Sequence, residues 1–208
     1  MRRSLLVLAV TLAPSVAAAQ AFGFEDDYGP NGLYAPSLTV TSGAQTLTVT
    51  PGAPNGLVNV AFPGMALLGT QAVTGLVQGV RPGLAFVPLV FTFLRPVGSI
   101  TFAFGDAGGD DDTPARIAAF DPSDASLGVW DTPYPRSFWQ GKTLSLTFAG
   151  AGAKYFVLSS PSLNPNSIYW EVLDSAPAVT TPEPPPAALA AVGLVGLVAV
   201  RRARRESR

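Results

Sequence analysis

The chain has 208 residues with 13 basic and 14 acidic side chains, 21 glycines, 20 prolines, no cysteine and no histidine. Without cysteine there are no disulfides, zinc–thiolate sites, thioredoxin-like redox centres or cysteine nucleophiles; without histidine there is no Ser-His-Asp triad and no His-ligated zinc. Seven of the basic residues lie at the two ends, so the stretch from Gln20 to Glu183 sets six basic residues against 13 acidic ones, a surface that repels nucleic acid.

Met1-Arg2-Arg3 is a basic opening, Leu5 to Leu12 is apolar, and Ala17-Ala18-Ala19 and Ala19-Gln20-Ala21 both satisfy the small-x-small rule. This order predicts a signal peptide over residues 1–21, removed by signal peptidase before Gln20 or before Phe22. The apolar stretch is short for a retained anchor.

Residues 22–176 have the size of one domain. Glycine and proline recur too often for long helices and suit many tight turns. In Leu38-Thr39-Val40-Thr41 and Thr46-Leu47-Thr48-Val49-Thr50, apolar residues alternate with threonine at period two, and Ser42-Gly43-Ala44-Gln45 between them reads as a hairpin loop. Further strands are expected at Leu57–Phe62, Ala72–Val77, Val87–Phe93, Ser99–Phe104, Arg116–Phe120, Thr143–Phe148, Lys154–Ser159 and Ile168–Leu173. With no amphipathic helix between them, they predict an all-β fold, an antiparallel two-sheet sandwich.

Three features of this body invite a functional reading, each beside a plain one. Asp106, Asp110, Asp111 and Asp112 lie in a Gly-rich stretch that would attract a cation or stay a solvated loop; their order is not that of an EF-hand. Trp130-Asp131-Thr132-Pro133-Tyr134-Pro135-Arg136-Ser137-Phe138-Trp139 reads as a proline-stiffened loop. Its rings Trp130, Tyr134 and Trp139 would stack on a sugar with Asp131 and Arg136 as hydroxyl partners, or fold back to cap the core. The rows Thr39/Thr41 and Thr46/Thr48/Thr50 resemble flat ice-binding arrays, or are ordinary solvent-facing strand residues.

The C-terminus has three parts: a Pro-rich linker over 177–186 that holds Pro182-Glu183-Pro184, 14 apolar or glycine residues from Ala187 to Val200, and the cluster Arg201, Arg202, Arg204 and Arg205. Proline keeps the linker extended; arginine at bilayer depth is costly, so the cluster stops transfer with its own side cytoplasmic. Residues 187–208 are thus expected to be a transmembrane helix and basic tail, short of the ~20 residues usual for a span.

This arrangement resembles the PEP-CTERM sorting signal, a tail also catalogued as an ice-binding protein C-terminal motif. The resemblance implies recognition by an exosortase, a membrane-embedded cysteine transpeptidase or protease, in a Gram-negative bacterium that makes exopolysaccharide. It implies an inner-membrane-anchored precursor, then display at the cell surface or in the extracellular matrix. Phe24-Glu25-Asp26, the run from Phe91-Thr92-Phe93 to Phe102-Ala103-Phe104-Gly105, and Ile117-Ala118-Ala119-Phe120-Asp121 resemble the jelly-roll domains common in that family, which are similar to carbohydrate-binding modules. Terminal strands pair in a jelly roll, so the resemblance suggests Glu25 and Glu171 as ligands of a structural calcium, the alternative being solvated acids at a strand edge. Where many relatives show an Asp-Asn pair on the last strand, this chain has Trp170-Glu171-Val172. No other cofactor is expected. The expected function is that of a non-enzymatic surface protein with extracellular polysaccharide as partner. The alternatives are a carbohydrate-active enzyme with paired carboxylates and an ice- or mineral-binding protein.

Overall fold

The computed structural model describes residues 20–22, 33–61, 72–77, 87–106, 114–133, 141–161 and 168–178. These form eleven strands and no helix. They are β1 (Leu33–Ala35), β2 (Leu38–Ser42), β3 (Gln45–Pro51), β4 (Gly56–Ala61), β5 (Ala72–Val77), β6 (Leu89–Asp106), β7 (Ala115–Phe120), β8 (Ser126–Thr132), β9 (Lys142–Thr147), β10 (Ala153–Ser159) and β11 (Ile168–Pro177). The pairings between them are antiparallel, as the alternating pattern requires. The expected signal peptide, the sorting motif Pro182-Glu183-Pro184 and the C-terminal apolar helix with its arginines lie outside the described residues. Among the described residues no helix is long and apolar enough to cross a membrane.

The path through the sheet runs β1-β4-β5-β11-β6-β10-β7-β8, with β2 and β3 joined through β6 and β9 paired to β6 alone. β6 is therefore the spine. Its first half pairs with β3 and β10 (Phe91 opposite Val49 and Phe156), its second with β9 and β11 (Phe102 opposite Leu144 and Val172). The sequence reads as two strands here, Val87–Phe93 and Ser99–Phe104, because Pro96 and Gly98 look like a turn. They are instead a corner within one strand. The Pro96 carbonyl accepts the Ala178 N–H at 2.9 Å, Gly98 accepts from Phe148 at 2.7 Å, and the ladders shift register around Val97. A proline belongs at such an irregularity because it has no N–H to give a ladder.

The corner turns the halves of β6 towards each other. Phe91 and Phe102 would be roughly 36 Å apart on a straight strand, yet their ring centroids lie 6.2 Å apart. Phe156 of β10 meets Phe93 at 5.9 Å and Phe102 at 5.1 Å, both edge to face, and Phe104 leans on Trp170 at 5.4 Å. These rings, with Leu47, Val49, Ile100, Ile117 and Leu158, are buried and form one core.

Gln45 fixes the corner from the side. Its amide donates to the Arg95 carbonyl at 2.7 Å and accepts the Arg95 N–H at 2.9 Å, so one buried side chain satisfies both backbone groups. The hairpin loop between β2 and β3 is shorter than expected: Ser42 pairs with Gln45, and only Gly43 and Ala44 turn the chain, Gly43 at φ 55°.

Candidate functional site

Glu171 sits on β11 opposite Ala103 of β6 and is 4% exposed. Ala72, Ala103, Gly105, Gly141 and Tyr169 surround a cavity of about 10 Å³ beside it. Glu25 lies outside the described residues, as do Asp110, Asp111 and Asp112; the Asp106 backbone ends β6 opposite Ile168. Among the described residues no three His, Cys, Asp or Glu gather in a way that would hold a metal ion. The N-terminal segment does reach the last strand: Phe22 bridges Val172. A second cavity, about 30 Å³ between Thr74, Ser159, Ile168 and Trp170, has room for water rather than a sugar ring.

Trp130, Asp131 and Thr132 are not loop residues. They end β8, opposite Ile117, Arg116 and Ala115, because the β7–β8 ladder runs on to the last residue before Pro133. Trp130 faces inwards, half-buried, with its ring edge to face on Phe148 at 6.0 Å. A Cβ at Gly128 would lie 2.8 Å from that ring, so glycine there gives the indole its berth. Asp131 is taken by Arg116, whose Nε and Nη2 each donate to the carboxylate at 2.7 Å. That paired hydrogen bond holds the Asp131 carboxyl below its ordinary value and the Arg116 guanidinium above its own. Tyr134, Arg136 and Trp139 lie outside the described residues.

The outward face of the β8-β7-β10-β6-β3-β2 strands is where exposed chemistry collects. Ladder registers line up Val129, Ala118, Val157, Val90 and Thr50 in one row across five strands. The next row is Phe120, Tyr155, Thr92, Thr48 and Thr39. Val129 is 56% exposed, and Leu127 beside it is also exposed. Phe120 and Tyr155 stack with centroids 4.7 Å apart and planes 9° from parallel. That separation is the spacing of neighbouring strands, so the rings stand up from the sheet as a ridge. The β7–β8 turn buttresses it: the Asp121 carboxylate accepts from the Ser123 hydroxyl and N–H and from the Ala125 N–H, which lowers its pKa. Burial and then the negative charge of Asp124 raise the Tyr155 pKa. On the far side Thr39 and Thr48, and Thr41 and Thr46, pair their hydroxyls at 3.5 and 3.3 Å. Of this face the sequence singled out the threonines and Asp131. The signal for the rest was the outward alternation of Arg116, Ala118 and Phe120 against Ala115, Ile117 and Ala119.

No family model and no curated protein matches the chain. Among solved structures, an arabinose-bound α-L-arabinofuranosidase, MgGH51, is similar with TM-score 0.40 and 9% identity, over 75% of this chain and 26% of that one. The enzymatically active domain of tailspike protein 4 of bacteriophage CBA120 is similar with TM-score 0.38 and 15% identity, over 64% of this chain and 19% of the tailspike. The chain thus spans about a quarter or less of either.

Proposed function

We propose that this chain is an exported surface protein of the PEP-CTERM type, processed by an exosortase, whose body is a jelly-roll-like β-sandwich that binds extracellular polysaccharide without catalysing a reaction. The observation that carries the reading is the order of the C-terminal segment: Pro182-Glu183-Pro184, the apolar run to Val200, then Arg201, Arg202, Arg204 and Arg205. The arginines halt the chain in the inner membrane and leave the proline segment at its outer surface. Glu183 is the one charge between Asp174 and Arg201, hence the polar handle for recognition. In a host with an exosortase, Glu183→Ala should stay an uncut, membrane-bound precursor while the wild type is cut and released. Equal processing of the two would refute the reading.

The ridge on the outward face supports the ligand side of the proposal. Tyr155 offers an aromatic face towards Thr92, where the apolar side of a sugar ring would rest. Thr48 and Thr39, further along the row, supply hydroxyls that both donate and accept. Tyr155→Ala should weaken retention on purified exopolysaccharide while leaving the fold intact. Retention equal to wild type would remove the face from the account.

A further inference from the structure

We infer that the bond cut on export is Ala19–Gln20, and that Gln20-Ala21-Phe22 is the opening strand segment of the mature protein. The inference rests on the reading of residues 1–19 as a leader and decides between its two cleavage sites. Gln20 is built into the fold by both backbone and side chain. Its N–H donates to the Ser175 carbonyl at 2.8 Å; its carbonyl accepts the Ser175 N–H at 2.9 Å and the Ser175 hydroxyl at 3.1 Å. Its side-chain amide lies over the β2–β3 turn, where a Cβ at Gly43 would meet Nε2 at 2.8 Å. Two residues on, the Phe22 N–H donates to the Val172 carbonyl at 3.2 Å, and its ring, 1% exposed, packs edge to face on Phe93 at 5.7 Å.

The two cuts leave different amines. In either, water adds to the carbonyl carbon before the bond, the C–N bond breaks, and the leader departs as a carboxylate while the new terminus takes a proton. Cut before Gln20, the ammonium forms on a half-buried residue, reaches water, and keeps its bond to the Ser175 carbonyl. Cut before Phe22, it forms next to a ring buried in the core, where the Val172 carbonyl accepts one of its protons. That cut also strips the Gln20 partners from Ser175, itself 2% exposed. A charge placed beside the core and newly orphaned backbone groups at the buried Ser175 both destabilise the fold.

The test is the intact mass and N-terminal sequence of full-length chain exported from a Gram-negative host. A start at Gln20, or that mass less one ammonia after ring closure of the new terminal glutamine, is expected. A start at Phe22 overturns the inference and leaves the leader reading standing; an exported chain that keeps Met1 overturns both. Two variants separate the sites. Ala21→Asp spoils the Phe22 site alone and should still start at Gln20. Ala17→Asp spoils the Gln20 site alone and should yield a Phe22 form melting at least ~5 °C lower. A Phe22 form that melts with the wild type would show that Gln20 and Ala21 do not matter to the fold and would overturn the inference.

Discussion

At the scale of single residues, Gln45 has the most concentrated task. Removing its amide leaves the Arg95 N–H and carbonyl without their partner at the corner of the spine strand. Arg95 is exposed and the two bonds are part-buried, so each costs about 0.5–1.5 kcal/mol when lost. Gln45→Ala should therefore lose about 1–3 kcal/mol in denaturant unfolding, more than the near-zero change expected of an exposed threonine such as Thr41. The Arg116–Asp131 pair is the opposite case, well formed but solvent-screened. Its signature is in pH. The folded carboxyl of Asp131 titrates below its unfolded value of about 3.9, so the stabilisation is complete above that value and is lost as pH falls through the folded pKa. Asp131→Asn should flatten that acidic part of the stability profile: it loses the pair's contribution near neutrality and converges on the wild type at the acid end. Equal acid slopes for both proteins would contradict the assignment.

At the scale of elements, the account stands on β6 and the rings gathered in its bend. Phe156→Ala removes the ring that meets Phe93, Phe102 and Phe148 and should cost ~3–5 kcal/mol. Gly152 closes the β9–β10 turn at φ 72°, where a Cβ would lie 2.6 Å from the Val97 carbonyl oxygen. Gly152→Ala should cost ~1–3 kcal/mol by urea midpoint, whereas Gly150→Ala, with φ 66° but open space around it, should cost less. This scale also shows what the sequence could carry. β2 and β3 were legible because each keeps strict period-two alternation, and β5 and β10 because each is a short run rich in apolar residues between turn signals. β8 was missed because Gly128 interrupts its apolar positions and Pro133 follows at once. The continuity of β6 was missed because Pro96-Val97-Gly98 has the local chemistry of a turn, and only the long-range pairing of both halves makes it a corner. The candidate site divides the same way. Trp130 and Asp131 were visible as residue types, but Arg116 as partner, and Phe120 beside Tyr155, follow from strand register, which no local pattern encodes.

At the scale of the whole molecule, both ends of the described domain meet at one edge: Gln20 pairs with Ser175, and Ala178 bonds the corner of β6 three residues later. In the precursor proposed above, anchors at the two ends would join the domain at neighbouring points, Gln20 and Ala178, so the fold between them could close while both were held. The measurement that tests this most directly is the C-terminal mass of the exported protein, taken from a host with its exosortase and from the same host without it. The account predicts loss of residues 187–208 and release from the inner membrane in the first, and a membrane-bound chain ending at Arg208 in the second. A chain that keeps Arg208 in both hosts, or loses its tail equally in both, would contradict it.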